Sequence, residues 1–155
     1  VSGVSGGGQV AFKMGMRFPD TFRAIAAVVA NMPAPENMDC IAEGKPISTL
    51  IINGTADPVN PYLGGEMKAG IPLGTVVSTQ ETFQYWAGLA GYKGKPKKTL
   101  LPDPIPDNQI TMEQFTYKKK GKPEVTLISV INGTHGQPAD LDFYTEVWAF
   151  FKRQM

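Results

Sequence analysis

The hydrophobic and polar positions of this chain fall into helix-like and strand-like stretches that follow one another. Val10, Ala11, Met14 and Phe18 lie near helical spacing, which predicts a helix over 6–16 that begins in glycines and turns these residues to a core. Pro19 ends it, because a proline pushes the residue before it out of the α region. "AIAAVVA" (24–30) is a continuous apolar run of the kind that forms a fully buried parallel strand, and "STLII" (48–52) is a second. Between them, "NMPAPENMDC" reads as a loop from its Pro and Asn content, and after Asn53-Gly54-Thr55 the prolines and Gly64-Gly65 predict another, to about residue 77.

Ser78 and Glu81 form a capping box, in which the hydroxyl and the carboxylate each satisfy a helix-terminal amide. Phe83, Trp86, Ala87 and Ala90 then give the following helix one apolar face, and Gly91 stops it. Residues 110–117 and 124–131 read as strands joined by "KKKGKP". The last element, about 141–153, is a helix with Phe143, Val147 and Phe151 in one row and Tyr144 and Trp148 beside it, a stripe assigned to the core. The order of elements is that of an α/β fold, with a mostly parallel sheet flanked by helices. A chain of 155 residues fits a single domain, 1–155, with one core.

Composition adds mainly exclusions. At 42% hydrophobic and 19% charged residues the chain is an ordinary globule and not a disordered segment. A net charge of +1 weakens a nucleic-acid reading, which calls for a basic face. The lysines of 93–98 and 118–122 read as solvated loops or turns. Cys40 is the one cysteine, so neither an internal disulfide nor a CxxC metal site is expected. No apolar run approaches the roughly 18 residues that suggest a membrane span, and no basic-then-apolar leader opens the chain.

Candidate chemistry gathers where strands end, as sites do in open α/β sheets. Ser5 follows "VSGV" inside Gly3-Val4-Ser5-Gly6-Gly7, a G-x-S-x-G. Asp57 follows "LIINGTA" and His135, the single histidine, follows "SVINGT". Both strands end in Ile-Asn-Gly-Thr, which points to shared turn geometry. Ser, Asp and His in that order are the order of α/β-hydrolase triads. A serine hydroxyl needs a base to take its proton, and an imidazole ordinarily titrates near neutrality. A carboxylate fixes the imidazole tautomer, the Gly6 amide can donate to an oxyanion, and side chains in place of the flanking glycines would clash. Asp57 also suits a plain Asp-Pro turn, His135 a surface turn, and Asp140 and Asp142 are alternative carboxylates.

Gly6-Gly7-Gly8-Gln9-Val10-Ala11 also matches the G-x-G-x-x-A of dinucleotide sites. That motif wants an acidic residue at the end of the next strand, where this chain has Asn31-Met32, so this reading ranks lower. Asn53-Gly54-Thr55 and Asn132-Gly133-Thr134 match the glycosylation sequon but are taken as turns.

"GVSGGGQVAFKMGMRFPDTFRAIAAVVANMP" resembles the nucleophile turn, helix and next strand of α/β hydrolases of the polyhydroxybutyrate depolymerase and feruloyl-esterase-like group. "LIINGTADPVNPYLGG" resembles the acid loop of that group, which favours Asp57 over Asp140 and Asp142, and "TQETFQYWAGLAGY" the helix after it. The Gly133-Thr134-His135-Gly136-Gln137-Pro138 turn departs from that group's Gly-Gly-His followed by Trp and Pro. The resemblance implies a serine carboxylic-ester hydrolase with Ser5, Asp57 and His135 as triad and Gly6 as oxyanion donor. It implies no metal or organic cofactor, a small-molecule or polymeric ester as substrate, no nucleic-acid or membrane partner, and a secreted or periplasmic setting. It also implies that the chain, which begins at Val1, corresponds to the C-terminal half of such a domain. The first half would come from a companion chain, or the exposed sheet edge would self-associate. The alternative is a catalytically inactive α/β module with an assembly or binding role.

Overall fold

In the computed structural model, which describes residues 1–155, the chain forms a three-layer α/β sandwich. β1 (Ser2–Val4), α1 (Gly6–Arg17), β2 (Ala24–Val28) and β3 (Ser48–Gly54) come first. A hairpin of β4 (Gly65–Lys68) and β5 (Pro72–Val76) precedes α2 (Thr79–Leu89). β6 (Lys97–Leu100), β7 (Thr111–Tyr117), β8 (Val125–Ile131) and α3 (Phe143–Lys152) complete the chain. The main sheet runs β1-β2-β3-β8-β7-β6. Its first three pairings are parallel, and β7 is antiparallel to both of its neighbours.

Strand side chains alternate between faces, and the core divides accordingly. Ile25, Ala27, Ile51 and Leu127 pack beneath α1 and α2 with Phe12, Phe83 and Trp86. Ala26, Val28, Leu50, Ile52, Ile128 and Val130 pack beneath α3 with Phe143, Val147 and Phe150. The capping box at α2 is complete in both directions. No helix is long and apolar enough to cross a membrane.

Several expectations need correction. The buried stripe of α1 is Gly8, Ala11, Phe12, Gly15 and Met16, while Val10 and Phe18 are exposed and Met14 is half-buried. Two glycines belong to that stripe because the helix lies too close to the sheet for side chains. A Cβ on Gly8 would stand 2.6 Å from that of Ala30, and one on Gly15 would stand 2.8 Å from Ile25 Cδ1. On α3, Phe150 is buried, whereas Tyr144 and Trp148 are 73% and 54% exposed and are not core. The stretch 55–77 is not all loop, since it contains β4 and β5. Lys97 and Lys98 lie on a strand, solvated at the sheet's edge.

Candidate active site

Ser5 occupies the single residue between β1 and α1, at φ 54° and ψ −122°, a conformation that L side chains adopt only under strain. Hydrogen bonds hold the turn on both sides. The Ser5 N–H donates to the Val28 carbonyl at 2.8 Å, and the Ser5 carbonyl accepts from the amides of Gly8 and Gln9. Gly3 is required here, since a Cβ on it would overlap the backbone of Gly7. Gly6 and Gly7 themselves have open space around the position of a Cβ, so the expected clash applies at Gly3 and not at Gly7. Gly6 is the first residue of α1, where a backbone N–H has no partner within the helix.

His135 and Asp57 reach Ser5 from the ends of the adjacent strands β8 and β3. His135 Nε2 lies 2.8 Å from Ser5 Oγ, and His135 Nδ1 lies 2.8 Å from Asp57 Oδ2. The Asp57 side chain is fully buried and that of His135 is 21% exposed. The other carboxylate oxygen, Oδ1, accepts from the amides of Val59 and Asn60 at 2.8 Å each. Both oxygens are thus committed, which fixes the direction in which Asp57 presents Oδ2. Asp140 and Asp142 are engaged elsewhere: Asp140 accepts from Asn108, and Asp142 caps α3. No cluster of three His, Cys, Asp or Glu side chains is placed to hold a metal ion.

The two Ile-Asn-Gly-Thr turns lean on each other. Thr55 N–H donates to the Val130 carbonyl at 2.9 Å, Ala56 N–H to the Gly133 carbonyl at 2.9 Å, and Asn132 N–H to Thr55 Oγ1 at 2.8 Å. Asn53 is buried beneath the site. Its Oδ1 accepts from Ala30 N–H, and the two hydrogens of its Nδ2 are shared among Ala30 O, Asn31 Oδ1 and Thr79 Oγ1. Asn31 in turn donates through its backbone to Asn60 Oδ1 and through Nδ2 to the Pro61 carbonyl. Tyr62 Oη and Ser129 Oγ, 2.6 Å apart, tie the acid loop to β8, and burial raises the Tyr62 phenol above its ordinary pKa. The position where a dinucleotide site would carry its acid is therefore a structural joint. Sequence reasoning passed over this network, whose only trace is an asparagine just after one buried strand and at the end of the next.

Val29 forms part of the cavity wall next to Ser5. At φ 45° it is a β-branched residue in the left-handed region, with its N–H donating to Ile52 O at 2.7 Å. Met67 and Leu73 of the β4–β5 hairpin line the same cavity.

No protein-family model matches the chain. A search of curated proteins finds 27% identity over 143 residues, 88% of this chain, with "Putative esterase NocK" of Nocardia uniformis subsp. tsuyamanensis. The chain spans 41% of the length of that curated relative. The architecture is thus α/β with a mostly parallel sheet, and the chain is distantly similar to an esterase.

Proposed function

We propose that this chain carries the catalytic residues of a serine carboxylic-ester hydrolase. The observation that supports this reading most is the unbroken path from Ser5 Oγ through both ring nitrogens of His135 to Asp57, with 2.8 Å at each step. In this reading Ser5 Oγ attacks the ester carbonyl carbon while His135 Nε2 takes the hydroxyl proton. Asp57 holds Nδ1–H and stabilises the imidazolium. The Gly6 N–H donates to the developing oxyanion, where one such donor is worth on the order of 10²–10³ in rate. Collapse breaks the C–O bond to the alcohol, which leaves with the proton from Nε2. A water, deprotonated by His135, then hydrolyses the acyl-Ser5 ester.

The substrate class is a carboxylic ester, and a companion chain or a second copy covers the open edge of the sheet. Ser5→Ala is expected to abolish ester hydrolysis and labelling by a fluorophosphonate while the circular-dichroism spectrum stays that of the parent. Unchanged turnover in that variant would overturn the assignment. A second reading is a non-catalytic α/β module with an assembly or binding role. Absence of fluorophosphonate adduct on Ser5 would select it.

A further inference from the structure

Two cavities meet at the first turns of α1. One, of about 260 Å³, is lined by Ser5 and His135. The other, of about 300 Å³, lies further along the helix. They share Gly6 and Gln9 of α1 and Met67 and Leu73 of the hairpin. Between them Gln9 Nε2 approaches Met67 Sδ to 3.2 Å. The second compartment touches neither Ser5 nor His135; Met16, Pro33 and Met38 form its apolar side, and Asn37, Asp39 and Thr75 a polar one. Thioether side chains of this kind adjust their shape around flexible apolar groups.

We infer that the second compartment is an acyl-chain site, and that Met67 at its entrance sets the acyl length the protein prefers. The inference rests on the Ser5 reading above and adds a direction to it. A leaving alcohol must take its proton from His135 Nε2, so the alcohol side of the substrate lies toward the histidine. With the carbonyl oxygen at the Gly6 amide, the acyl side points away from His135, along α1. That path leads past Gln9 and Met67 into the second compartment. From Gly6 to Lys13 the helix rises about 10 Å, which sets the length of chain that can be buried. At the far end the Lys13–Asp39 ion pair, 2.7 Å apart, is open to solvent. A longer acyl chain emerges there into water and gains nothing more from burial.

The test compares kcat/KM for p-nitrophenyl acetate, octanoate and palmitate, with the adduct on Ser5 from a short-alkyl fluorophosphonate located by mass spectrometry. Octanoate is expected to exceed acetate by about tenfold or more, because each buried methylene adds to binding, and palmitate is expected to add nothing further. Met67→Trp fills the entrance and is expected to lower the octanoate-to-acetate ratio about tenfold, whereas Met67→Leu keeps it. Leu73→Trp, which crowds the same compartment from β5, gives an independent second variant. Each ratio is taken on one preparation, so partial loss of folded protein cancels. A ratio within about twofold of the parent in both Trp variants, or a parent that prefers acetate, overturns the acyl site while a Ser5 adduct still upholds the triad. No adduct on Ser5 in the parent overturns both.

Discussion

Gly54 and Gly133 lock the acid turn to the histidine turn. A Cβ on Gly54 would overlap the Gly133 carbonyl and stand 2.8 Å from that of Thr134, next to His135. The same Gly133 carbonyl accepts from Ala56 N–H, immediately before Asp57. The spacing between carboxylate and imidazole is therefore set by backbone packed too tightly for a methyl group. Gly54→Ala is expected to force the turns apart, at about 1–3 kcal/mol of overpacking. Its effect on Ser5 should be comparable in size and separate in origin, because a misplacement of about 1 Å costs catalysis on the order of 10²-fold. Thermal unfolding and the rate of fluorophosphonate labelling measure the two separately, and an unchanged labelling rate would contradict the lock.

Asn53 is the second joint of the site. It links the end of β3 to Ala30, Asn31 and the start of α2 through Thr79. Truncation leaves the Ala30 N–H and other buried groups without partners, at about 1–3 kcal/mol for each group left unpaired. Asn53→Ala is expected to destabilise the fold by about 3 kcal/mol, and urea denaturation monitored by Trp fluorescence measures it. A loss below about 1 kcal/mol would mean that the network relaxes around the gap.

These joints show what the sequence could and could not announce. The strands β2, β3 and β8 were legible because their apolar runs are short, rich in β-branched residues and bounded by turn residues, and α2 because Ser78 and Glu81 mark its first turn. Ser5, Asp57 and His135 were legible as polar residues just past strand ends, and the structure brings them together. The α1 stripe was not legible, because glycine carries no hydrophobic signal and Gly8 and Gly15 are buried for lack of room. β4 and β5 were hidden because their residues are mostly exposed and they stand outside the main sheet, with β5 tied to the rest by a bridge from Val76 to Pro33. Tyr144 and Trp148 sit at helical spacing with the core row of α3, yet face outward, and periodicity alone cannot separate the two.

Glu124, at the start of β8, fastens the far end of the sheet. Its Oε1 accepts from Arg153 at 3.0 Å, and its Oε2 lies 2.8 Å from Lys118 Nζ. Burial opposes its charge, but hydrogen bonds from Lys118 and Arg153 outweigh it and hold the carboxyl below its ordinary value of 4.5. A carboxyl lowered in the folded state gives stability that is fully present above the unfolded pKa and is lost as pH falls through the folded one. Glu124→Gln is therefore expected to cost about 1–3 kcal/mol at neutral pH. The gap between parent and variant should shrink as pH falls below 4.5. Urea midpoints at neutral pH and at the acid end test this, and a gap that does not change with pH would remove the role of the charge.

Within residues 1–155 the two edges of the main sheet differ in a way that bears on the partner proposed above. β6 forms one edge and carries Lys97 and Lys98, charges of the kind that deter strand pairing. β1 forms the other and has no charged side chain. Beside β1 lies an apolar hollow of about 350 Å³ lined by Val4, Tyr144, Val147, Trp148 and Phe151 among others. On the opposite face of the sheet Val10 of α1 is also exposed. An unguarded strand edge between apolar surfaces suits an added strand with its own apolar neighbours, which is the partner proposed above. Residues 1–155 produced by themselves are expected to run in light scattering as an assembly heavier than 16.8 kDa, or together with a companion polypeptide. Replacing Tyr144 and Trp148 together by lysine places charge in the hollow and is expected to release the 16.8 kDa monomer. Both residues are largely exposed, so the substitution spares the core. A parent chain that is already monomeric and alone at micromolar concentration would leave β1 a tolerated free edge and refute the partner.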